Sequence, residues 1–217
     1  MGTSIHDESD PQRTVASTLR FPGLRWSIVT EDVELADGQI VTRDMQLHPG
    51  AVGIVVLDDQ ERVLLIRQYR HPVGCYLWEP PAGLMDEPGE SALNAAKREL
   101  VEEAGLEADS WAVLADWFNS PGGSTEGFRC FLARDIRPVP GGRPVGSGEE
   151  ANLPVVWVPL QEAVTAVLRG DLHNPTAVTG ILALWAAKSR GLAGLRDGDS
   201  PWPAREWLEA TSRVWVP

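Results

Sequence analysis

The chain has 217 residues, and 43% of them are hydrophobic, which suits one domain with an appendage or one larger domain. Its formal net charge is −12 at pH 7. This charge argues against a nucleic-acid partner, which needs a basic surface. It leaves room for a phosphorylated small molecule if cations or a few arginines supply positive charge locally.

The N-terminal segment MGTSIHDESDPQR is polar and acidic, and it lacks the apolar stretch of a signal peptide. The longest apolar runs, such as AVGIVVL, are too short to cross a bilayer. The two cysteines, Cys75 and Cys130, lack the spacing of a zinc site and are expected to be reduced thiols. We therefore predict a cytoplasmic protein with no membrane and no nucleic-acid partner.

In chain order, the sequence begins with a predicted disordered tail at residues 1–16. Short strands are predicted from 17 to 48, with a turn at Ala36–Gly38, because an Asp-Gly pair is typical of hairpins. Two apolar runs follow at 51–58 and 62–69, and the short DQE segment between them predicts a buried hairpin.

The second half of the chain mixes strands with a few helices. An acidic helix is predicted between Ser91 and Gly105. Two strands joined by a glycine-rich loop are predicted at 111–120 and 127–136, and a further strand at 153–159. Two more helices, each ended by a glycine, follow that strand. Hairpins combined with a few helices predict the α+β class rather than a doubly wound sheet.

The acidic helix has recognisable ends and a core face. Ser91 is a suitable N-cap, and Gly105 is a suitable C-terminal stop. At about 100° per residue, four apolar side chains fall on one arc and form the predicted core face. They are Leu93, Ala96, Leu100 and Ala104.

Three carboxylates, Glu99, Glu102 and Glu103, crowd one flank of this helix beside the core face. Like charges at this spacing repel each other, and more strongly where they are partly buried. The helix dipole also disfavours negative charge near the C-terminal end. A bound hard cation such as Mg²⁺ would remove both penalties. The alternative is a solvated acidic face that binds no ligand.

The residues around these carboxylates resemble the signature of the Nudix hydrolases. The matching positions are Gly83, Glu90, Arg98, Glu99, Leu100, Glu102, Glu103, Gly105 and Leu106. One departure is visible, because six residues rather than five separate Gly83 from Glu90. A loop absorbs one extra residue at little cost, and the spacing within the helix is unchanged.

The resemblance implies a mixed β-sheet held between helices, and hydrolysis of a nucleoside diphosphate linked to another moiety. By the matching positions, Glu99, Glu103 and the backbone carbonyl of Ala82 are the expected metal ligands. The expected cofactor is Mg²⁺ or Mn²⁺, with roughly two or three ions when substrate is bound. Such ions would neutralise the phosphoryl oxygens and hold a water for in-line attack.

The other signature positions have different implied roles. Glu102 is expected near the metal ions, with water between them. Glu90 is expected to pair with Arg98 and to brace the loop against the helix. That role is structural rather than catalytic, and Gly83 is likewise a structural position of the motif.

A second stretch, NSPGGSTEGF at 119–128, is similar to a loop of the ADP-ribose pyrophosphatases within this family. That resemblance implies that Glu126 reaches the metal site, as the general base or as a residue around the metal ions. Glu102 is the competing base. On spacing alone, Pro121 and the two glycines after it indicate a mobile surface hairpin loop.

Two arginines are candidate substrate-binding residues by the same resemblance. LIRQYRHPVG followed by WEPPAG looks like the segment before the signature, which makes Arg70 a candidate phosphate-binding residue. TRDMQLHPGAV looks like the subfamily's entry into the core sheet, with Arg43 placed to approach substrate. The alternative for both is surface ion pairing with the many acidic side chains.

The resemblance also predicts the organisation and the reaction. Residues 17–48 are expected to pack on a second subunit and complete the substrate site of a homodimer, residues 49–190 to form the catalytic domain, and 191–217 to be a C-terminal extension. The predicted reaction converts ADP-ribose, a small-molecule nucleoside diphosphate sugar, to AMP and ribose 5-phosphate. The alternatives are another nucleoside diphosphate sugar or a dinucleotide polyphosphate as substrate, or a non-catalytic ADP-ribose sensor.

Overall fold

The structure is a computed structural model that describes residues 5–144 and 153–215. Its strands are, in chain order, β1 (Arg13–Pro22), β2 (Ser27–Glu34), β3 (Ile40–Leu47), β4 (Ala51–Val56), β5 (Arg62–Arg70), β6 (Cys75–Glu79), β7 (Ala82–Leu84), β8 (Leu106–Phe118), β9 (Gly127–Pro138), β10 (Val155–Pro159) and β11 (Arg196–Asp197). Its helices are α1 (Ala92–Ala104), α2 (Leu160–Arg169), α3 (Pro175–Lys188) and α4 (Pro203–Ala210), and a 3₁₀ turn follows β5 at His71–Val73. None of the helices in the described ranges is long and apolar enough to span a membrane.

The chain divides into two compact units. The N-terminal unit comprises Met1–Gly50, Phe118–Gly127 and Trp202–Pro217, and the central unit comprises Ala51–Trp117 and Phe128–Pro201. This division differs from the predicted boundaries in two ways. The glycine-rich loop groups with the N-terminal strands, and the C-terminal extension is shared between the two units.

Within the described residues, the central unit contains two sheets. A five-stranded mixed sheet has the order β11-β8-β9-β4-β7, and a three-stranded antiparallel sheet has the order β10-β5-β6. β4 pairs in parallel with β9 and antiparallel with β7.

The apolar runs at 51–58 and 62–69 form buried strands, but the predicted hairpin between them is wrong. β4 and β5 lie in different sheets, with a bridge between Leu57 and Val63 where the chain passes from one to the other. The two edges of β4 are occupied by β7 and β9, so β5 pairs with β6 and β10. Continuous apolar runs are typical of strands buried on both faces, and β4 is buried along its whole length.

Helices cover both faces of the β-structure in the central unit. Side chains alternate between the two faces along a strand. On one face, Ile54 packs in a cluster that contains Leu100 of α1. On the other face, Val55 packs in a cluster that contains Leu160 of α2 and Ile181 of α3. This arrangement confirms the predicted α+β class with a mixed sheet between helices.

The N-terminal strands form an antiparallel sheet with the order β1-β2-β3. The predicted turn is present, because the Gly38 N–H donates to the Leu35 carbonyl and Gly38 has a φ of 83°. β1 begins at Arg13, so the predicted tail of residues 1–16 extends too far. The polar composition hides this strand, whose backbone pairs with β2 while all of its side chains stay exposed. Residues 1–4 of the predicted tail lie outside the described part.

Charged side chains attach the C-terminal residues to each unit. In the central unit, Arg129 is only 2% exposed and donates to the Asp116 carboxylate and to the Ser200 carbonyl. In the N-terminal unit, the Arg205 side chain of α4 donates to the Pro49 carbonyl.

Candidate active site

Helix α1 has the ends that the sequence predicts. The Ser91 side chain accepts a hydrogen bond from the Asn94 N–H at 3.2 Å, which caps the first turn. Gly105 ends the helix with a φ of 64°, a left-handed conformation that glycine adopts without strain. Ala96 and Leu100 of the predicted core face are completely buried. The position of the neighbouring carboxylates is therefore set by a packed helix.

Glu103 is a carboxylate in a buried position, with 3% of the residue exposed. Its Oε2 accepts a hydrogen bond from the Ala82 N–H at 2.9 Å. Burial of a carboxylate is costly unless the group is hydrogen-bonded or paired with a cation. This hydrogen bond holds Glu103 beside Ala82, whose backbone carbonyl is the expected third metal ligand.

Glu99 lies against the same strand at Gly83. A Cβ added at Gly83 would lie 2.0 Å from the carboxyl carbon of Glu99 and 2.0 Å from its Oε1. Any residue other than glycine would therefore displace the Glu99 carboxylate. Glu99 and Glu103 thus converge on the Ala82–Gly83 segment of β7.

Arg98 ties the loop before α1 to the helix. Its Nε and Nη2 donate to the two Glu90 oxygens at 3.1 and 3.0 Å, which forms a bidentate pair. Its Nη1 donates to Glu99 Oε1 at 2.6 Å and to Glu102 Oε2 at 3.4 Å. The hydrogen bonds to Glu90 and the charge of Glu99 raise the pKa of Arg98, against the effect of burial. The expected contact between Glu90 and Arg98 is present, and Arg98 also offsets part of the charge of the cluster.

Glu102 differs from its neighbours in exposure. Its side chain is 47% exposed, compared with 12% for Glu99. An exposed carboxylate can act on a water molecule in an active site. The exposed surface is also the position where an acidic side chain lowers the stability of the fold least.

The donor set fits a hard divalent cation. Carboxylate oxygens from Glu99 and Glu103 and the carbonyl of Ala82 are donors of the type that Mg²⁺ and Mn²⁺ prefer. Over residues 5–144 and 153–215, no group of three or more His, Cys, Asp or Glu side chains is arranged to hold a metal ion. A site of two carboxylates and one carbonyl leaves positions for water and phosphate oxygens, which Mg²⁺ usually retains as ligands.

The structure pairs Arg70 with a buried carboxylate, Glu79, which is not among the predicted site residues. Arg70 Nε donates to Glu79 Oε1 at 3.0 Å, and Asn174 Nδ2 donates to Glu79 Oε2. Glu79 is completely buried, and burial raises the pKa of its carboxyl group, while Arg70 and Asn174 act in the opposite direction. The Arg70 side chain remains 40% exposed, so it can still meet a ligand.

Glu126 lies in the N-terminal unit, at the end of the glycine-rich loop. Its carboxylate accepts a hydrogen bond from Asn119 Nδ2 at 3.0 Å. The loop is attached to β3, because the Gln46 N–H donates to the Gly123 carbonyl and the Thr125 N–H donates to the Gln46 carbonyl. The loop is thus attached to a neighbouring sheet, whereas a plain surface hairpin loop would lack this attachment.

Arg43 lines a cavity of about 470 Å³ within the N-terminal unit. Residues 121–125 of the glycine-rich loop line another side of this cavity. Leu208 and Arg213, from the C-terminal part of the chain, also line it. The structure therefore brings Arg43 to the loop that carries Glu126. The lining also includes the carboxylate of Asp44, and Arg213 is paired with Glu31. Arg43 is therefore the arginine of this cavity that suits an anionic ligand.

The oxygen donors gathered on α1 and β7 are of the kind that metal-dependent hydrolases use to bind divalent ions. A family model, the NUDIX domain, matches residues 47–178. The chain is 41% identical over 201 residues to the ADP-ribose pyrophosphatase of Mycobacterium tuberculosis, which covers 93% of this chain and 96% of that protein. It is 31% identical over 163 residues to the ADP-ribose pyrophosphatase of Bacillus subtilis, which covers 75% and 86%. The chain belongs to the Nudix family.

The fold is also similar to that of a solved structure. The crystal structure of an ADP compounds hydrolase matches with a TM-score of 0.68 at 24% sequence identity. The match covers 96% of this chain and 100% of that one. The similarity in fold to that structure therefore covers nearly the whole chain, beyond the residues 47–178 that match the NUDIX domain.

Proposed function

We propose that this protein hydrolyses the pyrophosphate bond of ADP-ribose to give AMP and ribose 5-phosphate. The observation that carries the proposal is the convergence of Glu99 and Glu103 on the Ala82–Gly83 strand. The similarity to two bacterial proteins named ADP-ribose pyrophosphatase supports this substrate. The proposed cofactor is Mg²⁺ or Mn²⁺, with roughly two or three ions bound when substrate is present.

In the proposed mechanism, the protein holds its carboxylates in place before substrate arrives. Divalent ions held by Glu99, Glu103 and the Ala82 carbonyl would neutralise the diphosphate and lower the pKa of a water molecule. Arg98 donates to the Glu99 carboxylate, and the Ala82 N–H donates to Glu103. Groups that are already oriented need little reorganisation when the transition state forms. This preorganisation is a major source of the rate enhancement in active sites.

Arginines and a further carboxylate complete the proposed set of roles. Arg70 and Arg43 bind substrate, because a guanidinium matches the geometry of a phosphate group. Glu126 accepts the proton of the attacking water, with Glu102 as the alternative base. Both carboxylates keep contact with solvent, in contrast to Glu103.

We also propose that the N-terminal sheet forms the interface of a homodimer. Three large exposed apolar side chains lie on β1 and one on β3, and exposed apolar surfaces commonly mark interfaces. They are Val15 (44% exposed), Leu19 (58%), Phe21 (54%) and Ile40 (56%). Light scattering should give twice the 23.6 kDa chain mass, and Leu19→Asp should reduce it to that of one chain. A single-chain mass for the wild type would refute the dimer.

The free thiols Cys75 and Cys130 fit a reducing compartment, so we place the enzyme in the cytoplasm. The thiol of Cys130 is also poorly reactive, because burial raises its pKa to about 12.

The direct test incubates purified protein and Mg²⁺ with ADP-ribose, other nucleoside diphosphate sugars and a dinucleotide polyphosphate, and identifies the products by mass spectrometry. We expect ADP-ribose to give AMP and ribose 5-phosphate in equal amounts. Intact ADP-ribose alongside rapid cleavage of another nucleotide would replace the proposed substrate. Equal, negligible turnover by wild type and Glu103→Gln on every compound would instead indicate a non-catalytic sensor.

A further inference from the structure

Glu79 is a buried charge that the proposed mechanism does not use. It is the last residue of β6, and 0% of it is exposed. Burial of a carboxylate in a strand that could carry an apolar residue generally lowers stability, even when the charge is paired. Such a residue is therefore a candidate for a role other than stability.

Two donors on separate elements hold the two oxygens of this carboxylate. Arg70 Nε, at the end of β5, donates to Oε1 at 3.0 Å. Asn174 Nδ2, just before α3, donates to Oε2. A carboxylate with donors on both oxygens is fixed in rotation as well as in position.

Asn174 is itself fixed by a second hydrogen bond. Its Oδ1 accepts the Ala177 N–H at 3.0 Å and so caps the N-terminus of α3. With Oδ1 used for the cap, the amide nitrogen is the group that meets Glu79. The helix therefore sets the orientation of Asn174, and Asn174 sets that of Glu79.

The Arg70 side chain lies at the exposed end of this chain of contacts. It is 40% exposed, whereas the Glu79 side chain is 1% exposed. A guanidinium has five N–H donors, and the contact with Glu79 Oε1 is made through Nε. The two Nη groups can bind phosphate oxygens while the Nε end stays attached to Glu79.

We propose that Glu79 is a positioning residue that holds the Arg70 guanidinium ready for the substrate diphosphate, and that Asn174 positions Glu79. This inference rests on the proposed function, because it assigns Arg70 to phosphate binding. Without Glu79, Arg70 would sample several rotamers and lose part of its binding free energy when substrate orders it.

The first experiment measures Arg70 itself and does not depend on the substrate. Nitrogen-15 NMR follows the Arg70 Nε–H signal and its exchange with water in wild type, Glu79→Gln and Asn174→Asp. Asn174→Asp keeps a good N-cap but cannot donate to Glu79, so it separates the cap from the positioning contact. We expect a slowly exchanging wild-type signal and faster exchange in both variants. Unchanged exchange in both would overturn the inference.

The second experiment is a double-mutant cycle on the hydrolysis of ADP-ribose. Glu79→Gln should lower kcat/KM by about 10–100-fold, the range that a hydrogen bond to a charged group commonly contributes, chiefly through KM. In an Arg70→Gln background the same change should cost less than about twofold, because the two residues act as one unit. Equal losses in both backgrounds would show that Glu79 acts only through the fold.

A matched control lies at the other end of β5. Arg62 pairs with Asp58 at 2.7 Å, and the Asp58 side chain is 10% exposed. Asp58→Asn should leave kcat/KM unchanged. If Glu79→Gln does not fold, Glu79→Asp and Asn174→Asp test the same contact. Wild-type protein that leaves ADP-ribose intact would remove the proposed function, and the NMR exchange of Arg70 would then decide the positioning role by itself.

Discussion

The carboxylates of helix α1 and the carboxylate of Glu126 are held in different ways. Glu103 is nearly inaccessible and is bonded to the backbone of β7. Glu126 is partly buried at the end of a glycine-rich loop, where the Asn119 side chain donates to it. Glu103 thus depends on a packed helix and a strand, whereas Glu126 depends on a side-chain hydrogen bond at the end of a loop that is itself attached to β3.

This difference matches the two proposed roles. A metal ligand must keep its geometry throughout the reaction, which suits a carboxylate fixed by buried structure. A proton acceptor must first reach a water and then release the proton, which suits a carboxylate on a segment that can adjust. Variants of the two regions should therefore affect different steps.

The largest effect is expected for Glu103→Gln. The amide oxygen can still accept the Ala82 N–H, so the packing is kept while the negative charge is lost. We expect kcat/KM for ADP-ribose to fall by at least about 10³-fold, with no loss of thermal stability, because a buried charge is removed. Glu87→Gln, on the exposed loop before α1, is the control and should be silent. More than a tenth of the wild-type activity in Glu103→Gln would separate Glu103 from metal binding.

The next effect tests which carboxylate is the base. Glu126→Gln should lower kcat by about 10³-fold, within the usual contribution of a general base. Glu102→Gln should lower kcat by less than about tenfold, because it removes no proton acceptor. A larger loss of kcat in Glu102→Gln than in Glu126→Gln would reverse the assignment of the base.

Alanine substitutions at Gly83 of β7 and at Gly122 of the glycine-rich loop compare how closely other atoms approach the backbone in the two regions. In Gly83→Ala the new methyl group would occupy the position of the Glu99 carboxylate, whereas at Gly122 a Cβ meets nothing within 4 Å. Displacing a ligand by about 1 Å can cost about 10²-fold in rate, so Gly83→Ala should lose that much kcat/KM. Gly122→Ala should change the free energy of unfolding by less than about 0.5 kcal/mol. Equal activities of the two variants would remove the steric argument for Gly83.

The smallest effect concerns the pH dependence of stability in the N-terminal unit. His48 is buried, and its Nδ1 accepts the Gly50 N–H. Burial lowers the pKa of His48 below its ordinary 6.5; Glu126 raises it and Arg205 lowers it further. The unfolded chain therefore binds more protons than the native one, so stability is lost as the pH falls below 6.5.

Urea denaturation of wild type and His48→Asn measures this effect. The asparagine oxygen can accept the Gly50 N–H but does not titrate. From about pH 7 to about pH 5, where an ordinary histidine gains its proton, wild type should lose more unfolding free energy than the variant. Parallel losses in the two proteins would show that His48 titrates normally.

The α1 site could be predicted from sequence because its information is local. Ser91 and Gly105 mark the ends of the helix, and helical periodicity places the carboxylates beside Leu100. The signature also identifies Gly83. The role of this glycine is to leave room for one side chain, that of Glu99. Each of these residues acts within a short stretch of chain.

Other features depend on partners that are distant in the chain. β4 pairs with β9, and no periodicity in 51–58 identifies that partner. Glu79 meets Asn174 only in the folded chain. The sequence still offers a signal for Glu79, because an acid stands between Trp78 and two prolines in an otherwise apolar stretch. For the same reason, the sequence of 191–217 does not indicate that α4 groups with the N-terminal strands.

The most direct test of the central claim, that Glu99 and Glu103 bind a divalent cation, is a titration of Mn²⁺ into metal-free protein. Calorimetry would be run with a non-hydrolysable ADP-ribose analogue on wild type and on the Glu99→Gln/Glu103→Gln double variant. We expect tight Mn²⁺ binding by wild type only. Metal removal by a chelator should also abolish turnover while the circular dichroism spectrum stays unchanged, because the core around Leu100 does not require the ion. Equal Mn²⁺ binding by both proteins, or turnover that survives chelation, would contradict the account.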